Sequence, residues 1–199
     1  LSELTPESVG QLEIVSVVIE ALGFNGFQKI LASWKLSEEQ ILKWTLLRHP
    51  YDRARSMYSY LTSPDSAHEV THGRIQGKSF EDYIGSYDVE DSWIIRSFLN
   101  IPDNQIISED DYNKTCRILD SFKIYDMKQV DPALDEVYGS CYNLQKAIIP
   151  QRALDTIKTS NTTSNPVKVA FESLSDAVKI KFSERAHWDL QLYKKYLKQ

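Results

Sequence analysis

Residues 41–58 read ILKWTLLRHPYDRARSMY, and this stretch decides the fold. Its first seven residues form an apolar run with the length of a buried strand, and Pro50 follows shortly after the run ends. Proline has φ pre-set for the first helical position and lacks the N–H that this position leaves unpaired. Asp52 then lies in the first turn, where the helix dipole favours an acid. The stretch therefore predicts a strand ending at Leu47 and a helix beginning at about Pro50.

Two arginines and a serine in this stretch form a candidate anion site. Arg48 is the last residue before the turn. Arg53, Ser56 and Tyr60 share one helical face, because residues three and four positions apart are neighbours on a helix. Arginine offers a bidentate fork, serine a neutral donor and the helix start a positive end, so the corner suits a phosphate group. The alternative is that Arg48 pairs with a carboxylate at the strand end.

The pattern Arg-x-Pro-x-x-Arg-x-x-Ser-x-Tyr after an apolar strand resembles the 3′-phosphate-binding motif of sulfotransferases that use 3′-phosphoadenosine 5′-phosphosulfate (PAPS), particularly the carbohydrate sulfotransferases. Its named positions are filled by Arg48, Pro50, Arg53, Ser56 and Tyr58. The resemblance implies that Arg48 and Ser56 bind the 3′-phosphate. It implies that Arg53, the third cofactor-binding candidate, and Tyr58 mainly support the turn. Looser similarity extends the likeness to roughly residues 40 to 197, but only the first motif is specific.

The resemblance also implies a fold and an activity. The fold would be an α/β domain over residues 1–199, with a small, mainly parallel sheet, many flanking helices and the P-loop-like sulfotransferase architecture. The activity would be in-line transfer of a sulfuryl group from PAPS, as co-substrate, to an acceptor hydroxyl. The resemblance to carbohydrate sulfotransferases favours an acceptor hydroxyl on a carbohydrate. That chemistry requires no metal, and the protein aligns donor and acceptor, neutralises the leaving phosphate and takes up a proton.

One part of the family pattern is missing. Sulfotransferases of this kind carry a Pro-Lys-x-Gly-Thr loop on their first strand, whose backbone donors and lysine hold the 5′-phosphosulfate. The glycines before the motif are Gly10, Gly23 and Gly26, and none is followed by the lysine and threonine of that loop. Two interpretations stay open: a fragment that lacks its first strand, since the sequence opens at Leu1, or a degenerate relative that binds a nucleotide or partner without catalysis. The catalytic base is not assigned.

Hydrophobic periodicity elsewhere predicts mainly helices with few strands. The predicted helices are 7–22, closed by Gly23, then 26–34, 50–61, one capped by Ser79, one over 93–99, then 110–119, 131–144 and a long closing helix over 175–197. A second strand is predicted over 122–127. The alternation of strands and helices favours a helix-rich α/β core with a mainly parallel sheet. A ligand site at the carboxyl end of the strand before Arg48 agrees with the rule for open α/β sheets.

A rival motif lies at residues 68–72, His-Glu-Val-Thr-His, which match the His-Glu-x-x-His pattern of zinc metallohydrolases. Turn-forming residues before it and Gly73 after it leave too few residues for a firm helix. No histidine follows at the spacing of the extended zinc motif. The favoured interpretation is a polar loop over the mouth of the active site, where His68, Glu69 or His72 would orient or deprotonate an acceptor hydroxyl.

Composition sets broader limits. The chain has 199 residues, is 42% hydrophobic and carries a formal charge of −5, which fits one core and argues against broad binding to nucleic acid or anionic membranes. We expect no membrane span and no signal peptide in this sequence, because no apolar run approaches about eighteen residues. Cys116 and Cys141 indicate buried small residues or one optional bridge. Cytoplasm is favoured over the Golgi lumen, since neither leader nor cysteine framework is visible.

Overall fold

The computed structural model of the chain describes residues 19–33, 35, 37–40, 43–63, 75, 77–86, 92–130, 132–133, 136 and 167–197. Within these residues the α-helices are α1 (Ile19–Ser33), α2 (Pro50–Leu61), α3 (Phe80–Ile84), α4 (Trp93–Leu99), α5 (Glu109–Leu119), α6 (Asp176–Arg185) and α7 (His187–Leu197). The strands are β1 (Trp44–Leu47) and β2 (Lys123–Asp126). Short 3₁₀ turns cover Glu38–Gln40, Met127–Gln129 and Phe171–Ser173.

The architecture is mixed helical with a small parallel sheet, as predicted for an α/β chain. The chain divides into two compact units. Unit 1 comprises Leu1–Leu47 and Ile94–Lys158, and unit 2 comprises Arg48–Trp93 and Thr159–Gln199. β1 and α2, which both lie within residues 41–58, therefore belong to different units. The boundary between the units falls between Leu47 and Arg48.

Unit 1 is organised around the two strands. β1 and β2 pair in parallel, with Trp44 opposite Lys123 and Leu47 opposite Asp126. An aromatic group lies beside the sheet, because the ring of Phe122, just before β2, lies 6.3 Å from that of Phe24 in α1 and 5.9 Å from that of Phe98 in α4. The apolar face of α1 is thus buried against the residues that lead into β2.

Unit 2 has its own core of aromatic and aliphatic side chains from α2, α3, α6 and the segment before α6. Tyr51 lies at its centre, with ring centroids 5.1 Å from Phe171 and 5.9 Å from both Phe80 and Phe182. The rings meet edge to face, the arrangement that aromatic quadrupoles favour. The Tyr51 hydroxyl donates to the Val169 carbonyl at 3.0 Å, so the buried phenol has a partner.

Several element boundaries predicted from local signals are confirmed. β1 ends at Leu47 and α2 begins at Pro50, as the proline predicts. Ser79 caps α3 through a capping box, in which its hydroxyl accepts the Asp82 N–H and the Asp82 side chain accepts the Ser79 N–H. The predicted helix over 93–99 and the predicted strand within 122–127 are also present.

The predicted closing helix over 175–197 is wrong, because the chain breaks at Ala186 into α6 and α7. The break coincides with long-range hydrogen bonds at Arg185. Its guanidinium donates to the Ser86 carbonyl, and its own carbonyl accepts from the Ser92 hydroxyl at 3.4 Å. Tertiary bonds of this kind override local helix propensity, and no glycine or proline in the sequence announces them.

The predicted helix end at Gly23 is also wrong, since α1 continues through Gly23 and Gly26. A glycine inside a helix costs about 1 kcal/mol relative to alanine. Burial of Phe24, Phe27 and Leu31 along the same helix offsets that cost. Residues 7–18, most of the predicted 131–144 helix and Cys141 lie outside the described residues, whereas Cys116 is buried as expected.

Candidate functional site

α2 presents one face to the core of unit 2 and the opposite face away from it. Tyr51, Ala54 and Leu61 are buried on the core side. A helix turns by about 100° per residue, so Arg53 and Ser56 lie on the other side. Both are partly exposed, and Tyr60, on the same face, is 40% exposed. The helical face predicted for the anion site is therefore the one that the core leaves uncovered.

Arg48 lies directly before α2 and is half-buried. Burial lowers the pKa of its guanidinium, and the charge of Asp52 partly opposes this effect. The positive charges of Arg55 and Arg53 lower the Arg48 pKa further. Within the described ranges the Arg48 side chain makes no hydrogen bond and no ion pair. Asp52 instead forms an ion pair with Arg55 at 3.4 Å, so the alternative of a direct pair between Arg48 and this carboxylate is not what the structure shows.

Ser56 is partly buried in the middle of α2, and its hydroxyl makes no hydrogen bond within the part of the chain that the structure describes. Neighbouring hydroxyls behave differently. Ser59 donates to the Arg55 carbonyl at 2.9 Å, and Thr62 donates to the Tyr58 carbonyl at 2.8 Å. These backbone bonds are the usual outcome for a serine or threonine in a helix. The Ser56 hydroxyl therefore has a donor that no backbone carbonyl of the described residues accepts.

Arg53 and Tyr58 make contacts that hold α2 in unit 2. The guanidinium carbon of Arg53 lies 3.7 Å from the centroid of the Trp93 ring, a close cation–π stack. The Tyr58 hydroxyl donates to the Lys78 carbonyl at 2.7 Å. The stack occupies the face of the Arg53 guanidinium, which limits how it can turn. Arg53 thus contributes positive charge beside Arg48 from a restrained position.

The start of α2 is capped by His49. Its Nδ1 atom accepts the Tyr51 N–H at 3.3 Å, and its carbonyl accepts the Arg53 N–H at 3.0 Å. Pro50 has no N–H to offer. The helix start is consequently less open to an anion than the sequence predicted. A histidine cap was missed because this position usually carries Ser, Thr, Asp or Asn.

Two further features of the chain are candidate sites. The His68-Glu69-x-x-His72 motif is outside the described residues. Among the described residues no group of three or more His, Cys, Asp and Glu side chains could hold a metal. In unit 1 an open cleft of about 570 Å³ is lined by Glu38, Glu39, Lys43 and Ser121. There the bonds from Gln28 and Lys43 lower the pKa of Glu38. Lys43 forms an ion pair with Glu38 at 2.8 Å, so the positive charge of this cleft is already compensated by the protein itself.

The comparisons with known proteins add no relative. No protein-family model matches the sequence, no curated protein resembles it significantly, and no solved structure has a significant match. No described helix is long and apolar enough to cross a bilayer. The chemistry of the corner around Arg48 is therefore the basis for any proposal about function.

Proposed function

We propose that Arg48, Ser56 and Arg53 form a binding corner for the 3′-phosphate of an adenosine nucleotide, and that the chain is a sulfotransferase using PAPS. Its acceptor would be a hydroxyl group, with carbohydrate as the favoured class. The observation that carries the proposal is the half-buried guanidinium of Arg48, which has no hydrogen-bonded partner within the described residues.

A partly desolvated cation is costly unless an anion compensates it. The lowered pKa of Arg48 expresses this cost, because burial is its largest cause. A phosphate dianion would meet the Arg48 fork with two charge-assisted hydrogen bonds. The Ser56 hydroxyl would add a neutral donor from the next turns of α2. This set of donors matches the roles that the sulfotransferase resemblance implies for the same residues.

In this proposal the residues of the corner bind and orient, and do not carry out the chemical step. A nucleotide held there would present its sulfuryl group to an acceptor hydroxyl for in-line transfer. The group that takes up the acceptor's proton is not assigned. Replacing Arg48 or Ser56 should accordingly weaken nucleotide binding more than it changes the turnover of bound substrate.

Isothermal calorimetry with adenosine 3′,5′-bisphosphate tests the proposal. Loss of a hydrogen-bonded charge costs about 1.5–3 kcal/mol, so we expect Arg48→Ala to weaken binding by about tenfold to a hundredfold. Arg48→Lys should recover part of the affinity, because lysine keeps the charge and loses the fork. Arg117→Ala, which removes one arginine from an exposed position on α5, is the matched control and should bind like wild type.

Adenosine 5′-monophosphate, which lacks the 3′-phosphate, is the second control. Arg48→Ala should change its binding little, because the proposed contact is absent from this ligand. Equal affinity of wild type and Arg48→Ala for the bisphosphate would refute the assignment. An equal loss for both nucleotides would show that Arg48 does not recognise the 3′-phosphate.

A second candidate function is binding of the nucleotide or a partner without transfer. The half-buried guanidinium of Arg48 supports this function as well, because binding alone needs the corner and no transfer step. A radiolabelled sulfuryl-transfer assay with PAPS and a panel of carbohydrate acceptors separates the two functions, since binding without transfer supports the second. A stoichiometric zinc ion in purified protein would instead favour the hydrolase motif at residues 68–72.

A further inference from the structure

His49 directly follows Arg48 and contacts other parts of unit 2. Its imidazole meets the ring of Tyr193 in α7 edge to face, with centroids 5.0 Å apart and planes at 86°. Tyr193 is 6% exposed, so this contact is part of the packed interior. The same imidazole accepts the Tyr51 N–H through Nδ1. One side chain thus joins the start of α2 to α7.

These contacts fix the backbone next to Arg48. His49 has φ −55° and ψ 130°, the turn that leads the chain from the extended residues before it into α2. Arg48 is its immediate neighbour, and its side chain has no hydrogen bond of its own to described residues. The backbone from which Arg48 projects is therefore joined directly to a residue that the cap and the Tyr193 contact hold in place.

The cap requires a particular protonation state. Nδ1 accepts a hydrogen bond only when it carries no proton, so a protonated imidazole cannot cap Tyr51. Protonation would also place a positive charge at the positive end of the helix dipole. Histidine is the side chain that ordinarily changes charge between about pH 5 and 8.

Charged residues of both signs neighbour His49 in the chain and on α7. On its own segment are the cations Arg48 and Arg53 and the carboxylate of Asp52. From α7 it faces the Tyr193 phenol, and the buried carboxylate of Asp189 lies one turn earlier on the same helical face.

We propose that His49 is a positioning residue for Arg48, and that nucleotide binding at this corner weakens when His49 takes up a proton. This inference rests on the proposed function. Protonation removes the cap at Tyr51, loosens the first turn of α2 and lets Arg48 leave the direction in which it meets the 3′-phosphate.

Calorimetry with adenosine 3′,5′-bisphosphate at pH 7.5 and 5.5 tests the inference on wild type, His49→Asn and His49→Ala. Asparagine is a good cap that does not titrate. We expect His49→Asn, which keeps a cap but loses the ring contact with Tyr193, to bind more weakly than wild type and more tightly than His49→Ala at pH 7.5. Between the two pH values wild type should lose about fivefold more affinity than His49→Asn, the usual effect of losing a helix cap. His49→Ala should bind weakly at both pH values.

The difference between wild type and His49→Asn isolates the imidazole, because the phosphate of the ligand titrates equally for both proteins. Circular dichroism melts identify any variant that fails to fold. Identical pH profiles for wild type and His49→Asn would overturn the role of His49 and leave the nucleotide site standing. Absence of binding to wild type at both pH values would overturn the proposed function, and the inference with it.

Discussion

Arg55 of α2 donates two hydrogen bonds from its guanidinium to the carbonyl oxygen of Val167, which lies 112 residues further along the chain. The Nε–O distance is 2.8 Å. On the same helix the Ser59 hydroxyl accepts the Val167 N–H at 3.0 Å, so α2 satisfies both backbone groups of one residue. Arg55 is thereby committed to structure, whereas Arg48, seven positions earlier, has no such bond within the described residues.

This commitment predicts that Arg55→Ala destabilises the protein. The substitution removes charge-assisted bonds to a carbonyl that is then left unpaired, and bonds of this kind contribute about 1.5–3 kcal/mol. The Asp52 carboxylate also loses its ion pair, which is a minor effect at a partly exposed position. Urea denaturation followed by tryptophan fluorescence should show a lower midpoint with an unchanged slope.

The exposed Arg117→Ala variant serves again as the control, with a change in unfolding free energy within about 0.5 kcal/mol. An Arg55→Ala midpoint equal to that of wild type would mean that the Val167 contact contributes nothing to stability. Arg48→Ala, by contrast, should be at least as stable as wild type without ligand, since it relieves a desolvated charge.

The second prediction concerns the loss of folding stability at acidic pH. The carboxylate of Glu81 in α3 accepts the backbone N–H of Ser175 at 3.0 Å, and Ser175 is the cap residue of α6 whose own side chain makes no capping bond. The hydrogen bonds from Ser175 hold the pKa of Glu81 below its ordinary value of 4.5. A lowered pKa in the folded state contributes stability that is present above pH 4.5 and is lost as the pH falls through the folded value. The melting temperature should therefore fall on acidification partly through this group.

Melting temperatures of wild type and Glu81→Gln between pH 7 and pH 3 measure the contribution. Glutamine can still accept the Ser175 N–H but does not titrate, so the gap between the two proteins should be largest at neutral pH and close towards pH 3. Asp82 and Asp111 also have lowered pKa values from capping serines, but they are common to both proteins and cancel in the difference. A gap that stays constant with pH would contradict the prediction.

The structural features that the sequence predicted correctly are those set by signals within a few residues. Pro50 sets the start of α2, and the serine before Phe80 sets the start of α3, because each acts through its own backbone geometry or its own hydrogen bonds. The uncovered face of α2, with Arg53 and Ser56, follows from helical spacing alone. The general α/β character follows from an apolar strand on either side of a helical region.

The structural features that the sequence did not predict depend on contacts between residues far apart in the chain. The helix break at Ala186 coincides with two hydrogen bonds at Arg185. The Arg185 guanidinium donates to the Ser86 carbonyl, and the Arg185 carbonyl accepts from the Ser92 hydroxyl. Both partners lie more than 90 residues earlier in the sequence. The structural role of Arg55 was equally hidden, since the sequence shows one arginine just before α2 and two within it without distinguishing them. Only the position of Val167 reveals which of them is used in the fold.

The last prediction compares two serines on α2, because among the described residues the Ser59 hydroxyl has hydrogen-bond partners and the Ser56 hydroxyl has none. Ser59 is 7% exposed and bonds to Arg55 and Val167, so Ser59→Ala should lower the unfolding free energy by about 1–3 kcal/mol, mainly by leaving the Val167 N–H unpaired. Ser56 makes no bond within the described residues, so Ser56→Ala should leave stability within about 0.5 kcal/mol of wild type.

Nucleotide binding should be weakened more by Ser56→Ala than by Ser59→Ala, which is the reverse of their expected effects on stability. A neutral hydrogen bond contributes about 0.5–1.5 kcal/mol, so Ser56→Ala should weaken binding of adenosine 3′,5′-bisphosphate by about two- to tenfold. Ser183→Ala, on the exposed side of α6, is the matched control for removal of a helical hydroxyl. If Ser56→Ala bound the nucleotide like Ser183→Ala, the corner would consist of the arginines alone, because a hydroxyl that contacts the phosphate cannot be removed without loss.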